Sequence, residues 1–216
     1  MASGEARRRR EQLNGWQTVR VTGFDPKADL QCYLQEAREA LVWKLDGLCE
    51  YDIRRPLVPT GTNLLGLVKH VASVELGYFG EVFGRPSGEP LPWMAEGAEV
   101  NADIWATPGE SREEIVALYR RAWAHSDATI SALALDAIGS VPWWQADHRE
   151  VTLHQILVHM IAETHRHAGQ ADIVRELIDG AVGLSSEGDN LPPGDRAWWE
   201  SYRARLERAA QEVGRG

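Results

Sequence analysis

Glu163 and His167 stand four residues apart in a long helical pattern, a spacing that lets a carboxylate and an imidazole share one cation. The segment from Thr152 reads TLHQILVHMIAETHRHAGQADIVRELIDG. Alternating steps of four and three from Ile156 reach Met160, Glu163, His167, Gln170, Val174 and Leu177, which predicts one helix face of the kind normally filled by aliphatic side chains. A carboxylate and an imidazole on that face are costly without partners, and a bound cation satisfies both.

A third ligand has to come from a facing helix. His70 lies between Leu67 and Val74 on the same rhythm in a second helical pattern, beside the small residues Gly66, Ser73 and Gly77, which would leave room for an ion. His70, Glu163 and His167, with remaining positions open to water or substrate, match the build of a catalytic rather than a structural metal site. The competing reading makes His70 an ordinary core histidine and Glu163–His167 a weak surface pair. His159, one turn before Glu163, is expected either to hydrogen-bond it from outside the ligand set or to face a neighbouring helix. Gln170 either lines the pocket or is a satisfied core amide. Arg166 and Arg175 are candidate anchors for a cosubstrate carboxylate, against the commoner fate of exposed helix residues. His125, His148, His154 and His165 fall off the stripe and are expected at the surface. No residue is marked as a general acid or base.

The elements that must position these side chains are helical. Apolar periodicity predicts four long helices, over about residues 28–48, 62–83, 111–133 and 152–179, and a short additional one over 195–212. Asp29 is a candidate cap for the first. Ser111 to Glu114 and Thr152 to Gln155 have the spacing of capping boxes, and Gly180 suits a left-handed helix end. With no alternating strand pattern, the expected fold is all-α, a four-helix bundle. Two connections, 84–110 and 136–151, exceed what a compact bundle needs. Their tryptophans, Trp93, Trp105, Trp143 and Trp144, argue for either a pocket-covering role or edge packing.

The chain has 216 residues, 44% of them hydrophobic and 25% charged, with a formal net charge of -9. One domain over 25–216 is expected, preceded by a flexible tail over 1–24 that holds the basic run Arg7 to Arg10. The acidic balance disfavours nucleic acid as a partner. No segment approaches the ~18 apolar residues of a membrane span, and no apolar stretch follows the arginines as in a signal peptide. Cys32 and Cys49 are the only cysteines and form no CxxC pair, which reads as a cytoplasmic protein with reduced thiols. Lysine occurs only at positions 27, 44 and 69, so arginine supplies nearly all the basic charge.

The second helical pattern, LLGLVKHVASVELGYFGEVFG, and the fourth, HMIAETHRHAGQADIVRELIDG, together resemble the DinB-like (YfiT-like) metalloenzyme superfamily. The likeness is closest to its actinobacterial branch that includes mycothiol-dependent enzymes, and it runs from about Leu41 to Gly183. The resemblance implies a DinB-like four-helix bundle whose metal is held by one histidine of the second helix and two ligands of the last. Many members use three histidines. Here the middle position is Glu163, as in the mycothiol-dependent maleylpyruvate isomerase, so the set maps onto His70, Glu163 and His167. That isomerase carries a further C-terminal domain for which this chain is too short.

The resemblance therefore implies a transferase or isomerase in which a divalent ion, zinc before nickel or iron, activates a small thiol such as mycothiol toward an unidentified electrophile. Bundles of this kind often pair through helix faces, so a homodimer is one assembly open to the chain. Two other readings stay open. The two histidines and one carboxylate also suit an Fe(II)-dependent oxygen-using enzyme. A non-catalytic ligand-binding or stress-related bundle would need no metal at all.

Overall fold

The first long helix starts on an Asp-Pro pair, two residues before the expected boundary. In α1, Pro26–Val42, Asp25 rather than Asp29 is the cap: its carboxylate accepts from the amides of Lys27 and Ala28 at 3.0 and 3.2 Å. Pro26 costs nothing there, because the first helical amide has no partner within the helix. The computed structural model describes residues 25–186, 188, 191–192 and 194–214; the tail expected over 1–24 lies outside them.

Five further α-helices follow among the described residues. A five-residue α2, Glu50–Arg54, leads to α3, Leu64–Phe79, whose Asn63 cap accepts from the Gly66 amide at 2.8 Å. The capping boxes expected at Ser111 and Thr152 are both formed, at the starts of α4, Arg112–Ala132, and α5, Leu153–Asp179. Gly180 ends α5 at φ 83°, in the left-handed region. A small antiparallel ribbon, which the alternation search did not anticipate, joins α4 to α5. It pairs β1, Ile138–Ser140, with β2, Glu150–Thr152, in the register Ile138↔Thr152. Strands of three residues are too short to carry a period-2 signal.

The core forms two clusters that fix the helix directions. One holds Leu41 and Val42 of α1 with Leu65 and Val68 of α3, Ile115 and Tyr119 of α4, and Ala171 and Val174 of α5. The other holds Leu34, Phe79, Ile130, Ile156 and Met160 from the opposite ends of those helices. Hence α1 and α5 run one way, and α3 and α4 run the other. Leu177, placed on the buried stripe by spacing alone, is 61% exposed: with Ile173 it lies on the outer side of α5, while Val174 and Ile178 meet the core.

That order explains the long connection over 84–110. Two neighbouring helices that run in the same direction need a link that returns the chain by a full helix length, about 24 Å for the 16 residues of α3. The crossover descends along α3, and its contacts mark the path. The Trp93 indole donates to Ser73 Oγ at 2.8 Å, and Lys69 Nζ donates to the carbonyls of Ala102 and Trp105 at 2.9 and 3.0 Å. Asn63 Nδ2 donates to the Ile104 carbonyl at 3.2 Å. A Cβ on Gly66 would stand 1.9 Å from that same carbonyl oxygen, so the crossover lies against bare backbone.

The helix over Arg196–Val213, α6, is present but buries none of its residues. Trp199, Tyr202 and Leu206, which its periodicity aims at a core, are not buried: Leu206 is half exposed, and the three aromatic rings of Trp198, Trp199 and Tyr202 pack on one another. Among the described residues no helix is long and apolar enough to cross a membrane.

Candidate metal centre

α3 and α5 run antiparallel, so the middle of one faces the middle of the other. That brings His70 opposite Glu163 and His167. One ligand atom from each of the three lies within 4.8 Å of the other two. Glu163 Oε1 is 3.0 Å from His167 Nε2 and 3.7 Å from His70 Nε2, and the two imidazoles meet edge to face with centroids 4.8 Å apart. All three side chains are part-buried rather than sealed in the core.

Each imidazole is oriented through its other nitrogen. His70 Nδ1 lies 2.6 Å from Asp103 Oδ2, and His167 Nδ1 lies 2.8 Å from Gln170 Oε1. The Asp103 carboxylate and the Gln170 amide each hold one ring through Nδ1, which turns both Nε2 atoms toward Glu163. Burial pushes the Glu163 carboxyl up. The hydrogen bond from His167 and the fields of His167, His70 and His159 outweigh it, so the group sits below its ordinary value. Two imidazole nitrogens beside a carboxylate oxygen make a donor set that a borderline divalent ion fits.

A cavity of about 820 Å³ opens beside this cluster. His70 and Glu163 form part of its wall, together with Tyr78, His159, Trp143 and residues 86–89 of the crossover. The long connections therefore both contribute to a pocket. The crossover is also a structural necessity of helix direction, which chain length alone could not distinguish from a functional insertion.

The remaining candidates divide. Gln170 is the partner of His167 and does not line the cavity. His159 faces α3: its ring lies 4.7 Å from that of Tyr78 and 5.5 Å from that of Trp144, and it lines the cavity without a hydrogen bond to Glu163. Arg166 is exposed and outside the cavity lining. Arg175 is buried, and its guanidinium ties α5 to the end of α1 through Asp179 and the carbonyls of Lys44 and Asp46. Neither arginine is placed to hold a carboxylate in the pocket. The small residues flanking His70 make room for the connections, not for an ion. Gly66 meets the Ile104 carbonyl, Ser73 the Trp93 indole, and Gly77 the Trp143 ring, 3.3 Å from where a Cβ would stand. His148 and His154 are exposed as expected, whereas His125 and His165 are part-buried.

Asp103 escapes a reading of the sequence by pattern. It lies 33 positions from His70 in an irregular segment, and the only hint was the length of that segment.

The model of the mycothiol-S-transferase family matches residues 29–180. The chain belongs to that family, a DinB-like group, and the match takes in both α3 and α5 with all three candidate ligands. No curated protein matches the chain.

Proposed function

We propose that this protein is a metal-dependent S-transferase that uses mycothiol, with the ion held by His70, Glu163 and His167. The observation that carries the reading is the convergence of two imidazole Nε2 atoms and a carboxylate oxygen, each imidazole being held through its far nitrogen. A divalent ion bound there, zinc by preference for this donor set, would lower the pKa of a thiol so that thiolate is present at neutral pH.

The chain's own residues supply the rest. Asp103 and Gln170 orient the ligands, and the cavity beside Glu163 has room for a thiol and an electrophile together. In the transfer, the thiol proton leaves to solvent and the sulfur lone pair forms a bond to an electrophilic carbon. The leaving group departs with the electron pair of the broken bond. The thiol comes from the cosubstrate, since neither Cys32 nor Cys49 lines the cavity.

We also read the four long helices as a DinB-type four-helix bundle and residues 25–216 as one domain with α6 at its edge. We place the protein in the cytoplasm, where two free cysteines stay reduced. Pairing as a homodimer is checked by light scattering.

Elemental analysis of freshly purified protein is expected to find about one zinc per chain, and loss of it in His70→Ala and Glu163→Ala. Zinc-loaded protein is expected to conjugate mycothiol to an alkylating agent above the uncatalysed rate. Full metal content in both variants would remove the site, and absence of conjugation across a panel of electrophiles would remove the thiol chemistry.

A further inference from the structure

Among the described residues, the charged side chains that line the cavity are of one sign. The carboxyl side chains in its wall are Glu81, Glu89 and Glu163, and among the described residues no lysine or arginine lines it. Glu89 is neutralised from outside by Arg121, whose Nε and Nη2 donate to it at 2.6 and 2.9 Å. Glu81 is exposed, and among the described residues none forms an ion pair with it. A divalent ion, the Glu163 carboxylate and a thiolate together carry no net charge, which leaves Glu81 to set the sign of the pocket.

The facing wall is aromatic and apolar. The Trp143 ring lies over Gly77 and is 50% exposed, with its edge 5.3 Å from Tyr78, centroid to centroid. Its neighbour Trp144 is fixed by donating from Nε1 to the Tyr78 hydroxyl at 3.1 Å. Leu91 and Met94 of the crossover extend the apolar surface, and Met94 is also half exposed. An exposed tryptophan face inside a concave, partly apolar site is a seat for a flat group.

Away from the ion, an anionic ligand would shed water here without meeting a cationic side chain among the described lining residues, and would face Glu81. A neutral flat molecule meets no such cost, and a cation gains from the aromatic faces as well. We propose that the second ligand of this cavity, the electrophile, is an uncharged or cationic molecule with a flat apolar face, seated against Trp143 and Tyr78, and that carboxylate-bearing electrophiles are excluded. Only the word electrophile rests on the S-transferase reading; the seat and its charge preference do not.

The test is calorimetric binding of three probes of one shape, 2-naphthamide, 2-naphthylmethylammonium and 2-naphthoate, to zinc-loaded protein and again after zinc removal. The metal-free arm separates ligation of zinc by the carboxylate from rejection by the cavity wall. In both arms the neutral and cationic probes are expected to bind at least about tenfold more tightly than naphthoate. Trp143→Ala should weaken them by about tenfold, while Trp143→Phe, which keeps a ring, should recover most of the loss. Glu81→Arg should raise naphthoate affinity specifically.

Equal or tighter binding of naphthoate in the metal-free protein overturns the charge preference. Failure of every probe to bind, or an unchanged affinity in Trp143→Ala, overturns the seat. Binding is read without turnover, so a protein that seats the neutral probe yet conjugates nothing loses the transferase reading and keeps this one.

Discussion

Two imidazoles offer the same nitrogen to the same carboxylate because each has its other nitrogen occupied. For His167 the partner is local: Gln170 is one turn away on α5, so the spacing of a single helix orients the ring. For His70 the partner is remote, and only the path of the crossover delivers Asp103 to within 2.6 Å. A carboxylate in that position sets ring orientation and raises the basicity of the ligating nitrogen. Asp103→Asn is therefore expected to weaken zinc binding by about 10–100-fold in a chelator competition, with the helical content unchanged. Wild-type affinity in that variant would reduce the Asp103–His70 contact to surface packing. This half of the orientation was hidden from the sequence, because a 33-residue separation through irregular chain leaves no periodic trace.

The crossover matters among the elements because α3 and α4 run in the same direction. Its attachment to α3 relies on Gly66, where any side chain meets the Ile104 carbonyl. Gly66→Ala should push the crossover outward and cost about 1–3 kcal/mol, read by chemical denaturation. Because Ile104 adjoins Asp103, zinc affinity should fall as well. Loss of stability with full zinc affinity would show that the crossover can shift without moving Asp103.

A second tie joins α1, α3 and α4. Arg38 is fully buried between Glu75, also fully buried, and Asp127, at 2.5 and 2.9 Å. Burial pushes the Glu75 carboxyl up against the opposing pull of Arg38. Removing one member of such a pair strands the other, so Arg38→Ala is expected to cost about 3–5 kcal/mol. A midpoint shift under 1 kcal/mol (roughly the worth of an exposed pair) would mean that water reaches Glu75.

In the whole molecule, α6 stands apart from the elements that carry the candidate centre. The family match stops at residue 180, and α6 buries nothing. A chain ending at residue 188 should keep its zinc content and melt within about 2 °C of the full protein, since a helix that contributes no burial contributes little stability. A drop of 10 °C or more would mean that α6 is covered in solution by a surface it does not meet within the chain.

Local chemistry made much of this protein readable from its residues. Capping boxes at Ser111 and Thr152, the glycine end at 180 and the four apolar rhythms each depend on neighbours within a few positions, and all of those signals recur in the structure. The Glu163–His167 pair with its Gln170 partner is of the same kind. The tertiary structure decided what depends on helix direction and on which connection lies against which face. It supplied Asp103, lined the pocket with Trp143 and Glu81, turned Arg175 into an internal tie and left α6 uncovered. Periodicity says that a face is apolar; only packing says what meets it, because burial is a property of two surfaces and a sequence pattern describes one.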